Sequence, residues 1–575
     1  MEIFSGTWGF LPVILLFGGS IFVHELGHFL AAKAFGLKVL RFSIGFGPTL
    51  FQWRGKDGCK YAVSLLPLGG YVAIPQLVSL GKLEGEETGD ADAAANLPKA
   101  GCLAKICVSA AGAAFNLLLA LVLAVAVYIT GVPEQAQWET TVVGSTTEIT
   151  DAFGEKFPSP AKLAGIKAGD KIISIDAKAA QNFEDIAELV AMGSGRTADG
   201  GPKASLEILR DGKTLAVEVK PVLVSTNIAT GDKIRMIGVQ PAMKMVVGDV
   251  MKNSPAQKAG IIPDDVVLGF DGKKIYSPAD MSEKLETFSG REIRLDILRG
   301  GAEMSLRTVP QRVALTKELL KISFDGGEIE LLETADARGT KSVRVFSARN
   351  GGAAAGDILY QIDSVKINSA ADVKKAFAAS GKTRELKFAS ENFDLSQINA
   401  AKASLEEVPP QTRVMIGYSL KADETIRHIP VDEQFADSLS KVYNAVASLI
   451  NPKSDIGISS LAGPVDIGRL IYKLSYTAFT AVLSFTELLN INLAVLYMLP
   501  IPVLDGGHIL FAVAEKLRGR PVPPAVFAAI QTAFSLAFLA LMAYIVYIGF
   551  ARWDGDNSRE RQSEIYSQYY TKIKF

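Results

Sequence analysis

Four long apolar stretches constrain this chain more than any other feature of its sequence. They cover residues 9–35, 106–129, 474–499 and 525–550. Each is long enough to cross the hydrocarbon core of a bilayer as a helix, which takes roughly 20 residues. The sequence therefore predicts a polytopic α-helical membrane protein with about four transmembrane helices, and its 575 residues leave room for several further domains.

Basic residues predict the orientation of these helices. The loop of residues 36–105 contains eight lysines and arginines, and the loop between the third and fourth stretches contains Lys516, Arg518 and Arg520. Because basic loops tend to stay in the cytoplasm, both loops are expected inside, and both termini and the long insert of residues 131–440 outside. A net charge of −1 offers no basic footprint, so no nucleic-acid partner is predicted.

The insert contains a repeated segment. Residues 159–176 read SPAKLAGIKAGDKIISID, residues 254–271 read SPAQKAGIIPDDVVLGFD, and a weaker copy ends at Asp363. In each copy an acidic turn precedes a β-rich run and then a short helical pattern. The copies resemble PDZ domains of the bacterial type. Two roles follow and both stay open: binding of extended peptides by strand addition, or steric filtering above the membrane.

The first apolar stretch contains His24-Glu25-Leu26-Gly27-His28, an HExxH motif. On a helix, positions i and i+4 share a face, so both imidazoles can bind one metal ion. Zinc lowers the pKa of a bound water toward neutrality, and Glu25 can take its proton. A satisfied polar contact between helices is the alternative, but three polar side chains in an apolar helix make it costly. The motif predicts His24 and His28 as ligands and Glu25 as the catalytic base.

The third ligand must come from another segment, because catalytic zinc usually has three protein ligands. The candidate is Asp505, which follows Pro500 and Pro502 and precedes two glycines after the third apolar stretch. The prolines break the helix and the glycines loosen the chain, so it can turn inward. Taken alone, Asp505 reads as the cap of the next helix, and His508 competes with it as a ligand. Paired with HExxH, Asp505 is the favoured third ligand of a single Zn²⁺.

The order of these motifs resembles the site-2 protease family of intramembrane metalloproteases (peptidase M50 type), and its RseP-type bacterial members in particular. Residues 42–48 and 66–72 resemble the family's membrane-associated β-hairpin region, residues 112–116 its GPxxN motif, and residues 463–465 its GPV motif. Three features depart from the family pattern. Tyr497 replaces the asparagine that precedes PxPxLDGG, Ala113 replaces a proline, and three PDZ-like copies occur where two are typical.

The resemblance implies an enzyme that cuts single-pass membrane proteins in or near their transmembrane segment. The implied partners are these substrates, for example an anti-sigma factor or a remnant signal peptide, together with the lipid bilayer. An upstream site-1-type protease is implied to remove the substrate's outer domain first. The implied location is the bacterial cytoplasmic (inner) membrane, with an extracytoplasmic PDZ region and an active site near the cytoplasmic side.

A substrate helix hides its amides in hydrogen bonds and must unwind before it is cut. Residues 41–72 alternate apolar and polar side chains around turns, which is typical of a hairpin, and a hairpin edge can bind an unwound segment as an added strand. Asn490 or Asn492 is a candidate to replace the family's asparagine. The predicted substrate-binding residues are Ile44, Gly45, Phe46, Gly47, Asn116, Asn492, Tyr497, Pro500 and Pro502.

Two other functions compete with the protease. One is a catalytically inactive PDZ-containing membrane scaffold, supported by Tyr497, and the other is a transporter with a proton relay at His24 and Glu25. Metal content separates both from a protease. The predicted regions are an N-terminal membrane block at 1–132, PDZ-like domains at 138–224, 240–312 and 315–425, a C-terminal membrane block at 430–553 and a polar tail at 554–575.

Overall fold

The computed structural model describes residues 10–77, 97–98, 100–152, 155–227, 232–288, 290–335, 339–349, 353–378, 383–390, 395–475, 478–520 and 522–569. These residues form two compact units. The first consists mainly of the chain up to Gln135 and of Glu424–Phe550, and the second consists mainly of Ala136–Ala191 and Gly195–Asp423. The apolar stretches thus belong to the first unit and the repeated segments to the second.

The helices, in chain order, are α1 (Phe10–Ala34), α2 (Cys102–Thr130), α3 (Pro160–Leu163), α4 (Phe183–Ala191), α5 (Pro255–Lys258), α6 (Pro278–Leu285), α7 (Ala370–Ala378), α8 (Val431–Ile450), α9 (Pro464–Ser475), α10 (Phe479–Tyr497), α11 (Asp505–Arg518) and α12 (Pro524–Tyr569). The strands are β1 (Arg41–Arg54), β2 (Lys60–Ala73), β3 (Val132–Gln135), β4 (Val143–Thr146), β5 (Ile149–Thr150), β6 (Lys156–Phe157), β7 (Lys171–Ile175), β8 (Lys178–Ala179), β9 (Ala204–Arg210), β10 (Lys213–Val219), β11 (Val222–Ser225), β12 (Lys233–Met236), β13 (Val239–Pro241), β14 (Met245–Val250), β15 (Val266–Phe270), β16 (Lys273–Lys274), β17 (Ile293–Arg299), β18 (Ala302–Thr308), β19 (Gln311–Ala314), β20 (Leu319–Phe324), β21 (Gly327–Ala335), β22 (Lys341–Arg349), β23 (Ile358–Ile362), β24 (Val365–Lys366), β25 (Thr383–Ala389), β26 (Leu395–Ala401), β27 (Ser404–Val408), β28 (Thr412–Met415), β29 (Tyr418–Leu420) and β30 (Glu424–Arg427).

Three helices in the described part of the chain are long and apolar enough to cross a membrane. They are α2, α10 and the Ala525–Trp553 part of α12. The first apolar stretch forms α1, which carries the HExxH motif and is not among these three. Helices long and apolar enough to span a membrane are therefore found as predicted, and the number of crossings, including one by α1, stays a prediction.

Strands β1 and β2 form a folded-over sheet rather than a simple hairpin. Residues 41–44 of β1 pair on one side with residues 70–73 and on the other with residues 60–63, which pair in turn with residues 51–54. Gly45 and Gly47 have φ angles of 83° and 84°, which favour glycine and allow β1 to bend there. The segment of residues 70–73 consequently forms one edge of the sheet. Phe29 and Ala32 of α1 share a hydrophobic core with Phe42 of β1.

The ends of the insert meet in the first unit. Strand β3, which leaves α2, pairs antiparallel with β30, which leads into α8. The pairs run from Val132 with Arg427 to Gln135 with Glu424. His428 also contacts the C-terminal end of α2, since its Nδ1 atom lies 2.7 Å from the carbonyl oxygen of Tyr128. The chain therefore departs for the insert and returns from it at one place.

The first two repeats in the second unit share many structural details. Ser159 and Ser254 each cap a four-residue helix, α3 and α5, by accepting a hydrogen bond from the third residue along. Asp170 and Asp265 each bind an arginine at the end of a neighbouring strand, Arg210 and Arg299, at 2.6 and 2.7 Å. The sequence repeat at residues 159 and 254 is thus a repeat of structure.

The boundary between the second and third repeats differs from the predicted one. In the first repeat, β11 pairs with β12 and β13 then pairs with β4. In the second repeat, β19 pairs with β28 and β29 then pairs with β14. Val414 and Ile416 accordingly lie in the core of the second repeat. The third repeat, within residues 315–411, is inserted into the second, so the predicted ranges 240–312 and 315–425 are wrong at these ends.

The third repeat also differs in how its sheet is closed. The strand beside β22 is β21, and it corresponds to β13 beside β4 and β29 beside β14. Within the described residues, β13 and β29 each pair with one strand only, so each has one edge without a neighbouring strand. The corresponding edge of β21 is paired with β20, which pairs in turn with β27. The third repeat thus fills with its own chain the position that the first two leave open.

Candidate metal centre

Three predicted ligands meet at the contact between α1 and the start of α11. The Nε2 atoms of His24 and His28 lie 3.1 Å apart, and they lie 3.3 and 3.4 Å from Oδ2 of Asp505. In the part of the chain that the structure describes, these three residues form a group able to hold one metal ion. His508 is not in this group, and its ring faces Phe527 at a centroid distance of 6.3 Å. The geometry therefore selects Asp505 over His508.

A tight turn before α11 brings Asp505 to this position. Helix α11 begins at Asp505, and the capping position before it is Leu504, so Asp505 does not cap the helix. A Cβ atom on Gly506 would lie 2.3 Å from the Met498 carbonyl oxygen, and one on Gly507 would lie 2.1 Å from the Ile501 carbonyl oxygen. Only glycine permits this approach, which explains the Gly-Gly pair after the aspartate.

Helix α2 supports both histidines. The Nδ1 atom of His28 lies 2.7 Å from the Val108 carbonyl oxygen, and Nδ1 of His24 lies 3.3 Å from the side-chain amide of Asn116. Between these two contacts, Gly112 faces the imidazoles so closely that a Cβ atom would lie 2.5 Å from His28 and 2.6 Å from His24. Residues 108, 112 and 116 are one helical turn apart, so a single face of α2 holds both rings.

These contacts determine which ring nitrogens can bind a metal. A carbonyl oxygen only accepts hydrogen bonds, so Nδ1 of His28 donates to Val108 and Nε2 retains its lone pair. For Asn116, which is fully buried, the side-chain oxygen has no hydrogen-bond partner while the nitrogen faces His24. Exchanging the amide's oxygen and nitrogen lets the oxygen accept a hydrogen bond from Nδ1 of His24. Nε2 of His24 then also carries a lone pair toward Asp505.

The resulting cluster fits a zinc ion. Ligands bound at about 2.0–2.1 Å in a tetrahedron lie roughly 3.3–3.4 Å apart, and the three distances here are 3.1, 3.3 and 3.4 Å. Asp505 Oδ2 is buried without a hydrogen-bond partner. Two imidazole lone pairs and a carboxylate oxygen at this spacing repel one another unless a cation lies among them. A divalent ion satisfies all three atoms at once.

Glu25 lies beside the edge segment of the β1–β2 sheet. A Cβ atom on Gly70 would lie 3.0 Å from Cγ of Glu25 and 2.9 Å from the Ser43 carbonyl oxygen. The strand edge next to Glu25 is therefore formed by residues 70–73, which pair only with β1 among the described residues. Ile44, by contrast, pairs with both Gly70 and Val63. Ile44 therefore does not lie at an open edge of the sheet, because β2 folds around both sides of it, and its contact with substrate stays a prediction.

The other predicted substrate-binding residues lie at varied places. Gly45 is buried and Gly47 is exposed where β1 bends, and Phe46 pairs with Leu66. Asn490 is fully buried and donates hydrogen bonds to Ser20 and to the Thr486 carbonyl oxygen, so it serves the contact between α1 and α10. Asn492 is half-buried in α10, Pro500 is exposed and Pro502 is half-buried in the turn before α11.

Tyr497, at the end of α10, lies against one of the predicted ligands. Its ring lies against His24, with a centroid distance of 4.1 Å and an interplanar angle of 30°. Sequence reasoning assigns both Tyr497 and Asn116 to substrate, whereas the structure brings each into contact with a ligand histidine. The sequence does not indicate the contact between Val108 and His28, because a backbone carbonyl group is the same in every residue.

Comparisons with known proteins give a consistent similarity. Residues 12–542 match the family model described as peptidase family M50. A predicted zinc metalloprotease of Neisseria meningitidis is 25% identical over 91% of this chain and 94% of its own length. Protease RseP of Yersinia pestis is 23% identical over 95% of this chain and 99% of its own length. The regulator of sigma E protease of Haemophilus influenzae is 24% identical over 95% of this chain and 100% of its own length. A PDZ domain protein structure from Parabacteroides distasonis, at 10% identity, covers 49% of this chain and all of its own with a TM-score of 0.13, too low to bear on the fold.

Proposed function

The chain belongs to peptidase family M50, and from this premise we propose that it is an intramembrane zinc metalloprotease that cuts single-pass membrane proteins in or near their transmembrane segment. The observation that carries the proposal is the cluster of His24, His28 and Asp505, whose ligand atoms lie 3.1–3.4 Å apart. These three residues would hold one Zn²⁺. The names of relatives from other bacteria, which include a zinc metalloprotease and the regulator of sigma E protease, support the same chemistry.

Each side chain of the centre has a separate task in this mechanism. Zinc, when bound, would supply a Lewis acid that polarises a carbonyl group and lowers the pKa of a water molecule toward neutrality. The carboxylate of Glu25 accepts the proton that the attacking water loses and passes it to the leaving amine nitrogen. Val108 and Asn116 hold the two imidazoles so that their Nε2 atoms face Asp505.

The edge segment of residues 70–73 is our candidate for binding the unwound substrate. It lies beside Glu25 and has no strand on its outer side among the described residues. A substrate strand added there would regain the hydrogen bonds that it loses on leaving its helix. We propose this edge for backbone pairing with the substrate in place of the predicted substrate-binding residues Ile44, Gly45, Phe46 and Gly47. Asn492, Pro500 and Pro502 remain proposed contacts to the same substrate.

The proposed substrates are membrane proteins whose outer domain an upstream protease has already removed, such as an anti-sigma factor or a remnant signal peptide. The proposed location is the bacterial inner membrane, with the PDZ-like repeats outside and the metal centre near the cytoplasmic side. For peptide binding by the repeats, β13 and β29 each have an edge without a neighbouring strand among the described residues, while the corresponding edge of β21 is paired with β20. Strand addition is therefore proposed for the first two repeats only, and steric filtering remains compatible with all three.

The test is a cleavage assay with the purified full chain in lipid vesicles. It uses a tagged single-pass substrate without its outer domain, and compares wild type with Glu25→Gln and Asp505→Asn while zinc is measured in each. We expect cleavage by wild type alone, zinc in wild type and Glu25→Gln, and loss of zinc in Asp505→Asn. Because Glu25 is not a ligand, its amide should lower the rate by a factor of roughly 100 or more. Wild-type protein without zinc after metal-replete purification would favour the inactive scaffold instead.

A further inference from the structure

Tyr497 is in contact with a predicted ligand of the metal centre, at the position where the family pattern has an asparagine. Its ring centroid lies 4.1 Å from that of His24, and the two planes are tilted by 30°. Such a distance is at or below the short end of aromatic contacts, for which ring centroids are usually about 4.5–7 Å apart. The tyrosine thus lies face to face with the imidazole rather than pointing away from it.

The Tyr497 ring adds a contact on the face of the His24 imidazole to the contacts that other residues make with it. Asn116 meets His24 at Nδ1, on the rim of the ring, at 3.3 Å. Gly112 also packs close to this ring, since a Cβ atom there would lie 2.6 Å from the Cε1 atom of His24. His28 meets the same ring nearly edge-on, with an interplanar angle of 85° and a centroid distance of 4.7 Å. Tyr497 covers a face of the imidazole and, together with Asn116, His28 and Gly112, defines the plane of the ring.

Tyr497 also connects His24 to the segment that carries the third ligand. It is the last residue of α10, and the turn from Met498 to Leu504 leads directly to Asp505 at the start of α11. That turn is compact, because Met498 and Leu499 carbonyl oxygens lie against Gly506. The Tyr497 ring at the end of α10 therefore contacts His24 and is joined by a short, compact turn to Asp505.

We propose that Tyr497 is a positioning residue for zinc binding, whose ring holds the His24 imidazole in the plane required for coordination. The inference rests on the proposed function, since it requires that His24 binds zinc. Metal binding draws electron density from the imidazole, and an electron-rich phenol face then attracts the ring more strongly. The aromatic face carries this role, so the hydroxyl group is not needed for it.

The test measures metal affinity rather than activity alone. Tyr497→Phe, Tyr497→Leu and Tyr497→Asn are made in the full chain, and zinc affinity is measured by competition with a chromogenic chelator. We expect Tyr497→Phe to remain within about threefold of wild type, and Tyr497→Leu and Tyr497→Asn to bind zinc roughly 10- to 100-fold more weakly, as is usual for groups that orient a ligand. The absorption spectrum of the cobalt-substituted protein should change for Leu and Asn and not for Phe.

A contact with substrate alone would give the opposite pattern. Tyr497→Leu and Tyr497→Asn would then bind zinc as tightly as wild type, keep the cobalt spectrum and raise KM, and this result would overturn the inference. Asp505→Asn serves as the control for the centre itself. If wild type binds no zinc, the proposed function fails; if wild type binds zinc and only Asp505→Asn loses it, the positioning role fails. Circular dichroism of the metal-free proteins identifies any variant that misfolds, and the variants that fold then decide between the two roles.

Discussion

Gly112 shows how closely the residues of the metal centre are packed. Its backbone lies against both imidazoles, and a methyl group there would come within 2.5–2.7 Å of their ring atoms. The histidine spacing of HExxH predicts that two rings share a face of α1, because four residues nearly complete a helical turn. It does not predict what supports them. The sequence favours Asp505 as the third ligand without excluding His508, and the turn at Gly506 and Gly507 decides between them.

An added methyl group at Gly112 tests how closely α2 packs against the imidazoles. Gly112→Ala should displace one or both imidazoles and weaken zinc binding roughly 10- to 100-fold, because overpacking a close contact costs about 1–3 kcal/mol. The control is Gly19→Ala on α1, where an added Cβ atom meets nothing within 4 Å. Zinc affinity and cleavage are measured for both variants. Normal zinc affinity in Gly112→Ala would contradict the prediction, because the imidazoles could then move away from the methyl group without weakening zinc binding.

Salt bridges at one position distinguish the repeats as structural elements. Asp170 and Asp265 each pair with an arginine, whereas the third repeat has Ser390 at the corresponding position after β25. Burial alone would raise the pKa of Asp265, but hydrogen bonds from the Arg299 guanidinium and the Ile262 amide lower it below its usual range. The ionised aspartate therefore stabilises the second repeat above its ordinary pKa of about 3.9, and this stabilisation is lost as the pH falls through the lowered pKa.

This pairing gives a pH-dependent prediction. In the fragment of residues 136–423, Asp265→Asn should lower the Tm by roughly 5 °C at pH 7. The difference from wild type should shrink as the pH falls below about 4. Asp264→Asn is the matched control, because Asp264 is exposed and its φ of 68° suits asparagine. Calorimetry at several pH values checks both, and a difference that stays constant down to pH 2 would contradict the assignment.

The order of the three repeats along the insert is only partly predictable from the sequence. The repeat offsets suggest three domains in a row, yet the second repeat is interrupted by the third. A signal for this is present: Met236-Ile237-Gly238 precedes β13, and Met415-Ile416-Gly417 precedes β29. In both repeats the carbonyl oxygen of this isoleucine accepts a hydrogen bond from the backbone amide of an alanine in the short capped helix. The alanine is Ala161 in the first repeat and Ala256 in the second. The sheet around Ile44 could not be foreseen, because alternation predicts strands but not a strand that pairs twice.

At the scale of the whole molecule, the nested arrangement predicts where the chain can be shortened. Replacing residues 315–411 with the connection of residues 226–232 should leave the second repeat folded, because β19 and β28 can still pair. Removing residues 315–425 should unfold it, because β28, β29 and the core residues Val414 and Ile416 are lost. Trypsin resistance of the insert in the two full-length variants measures this. Equal resistance in both would contradict the nested arrangement.

The pairing of β3 with β30 bears on how proteins of this kind can diverge. Because the insert leaves and returns through adjacent strands, its removal or exchange would leave the membrane part with the same two chain ends in register. The third repeat enters the second through β19 and β28 in the same manner. Genes that gain a segment between two paired strands keep every older element intact. Descendants of one ancestral enzyme can therefore vary in the number of their outer repeats while the catalytic residues are inherited unchanged.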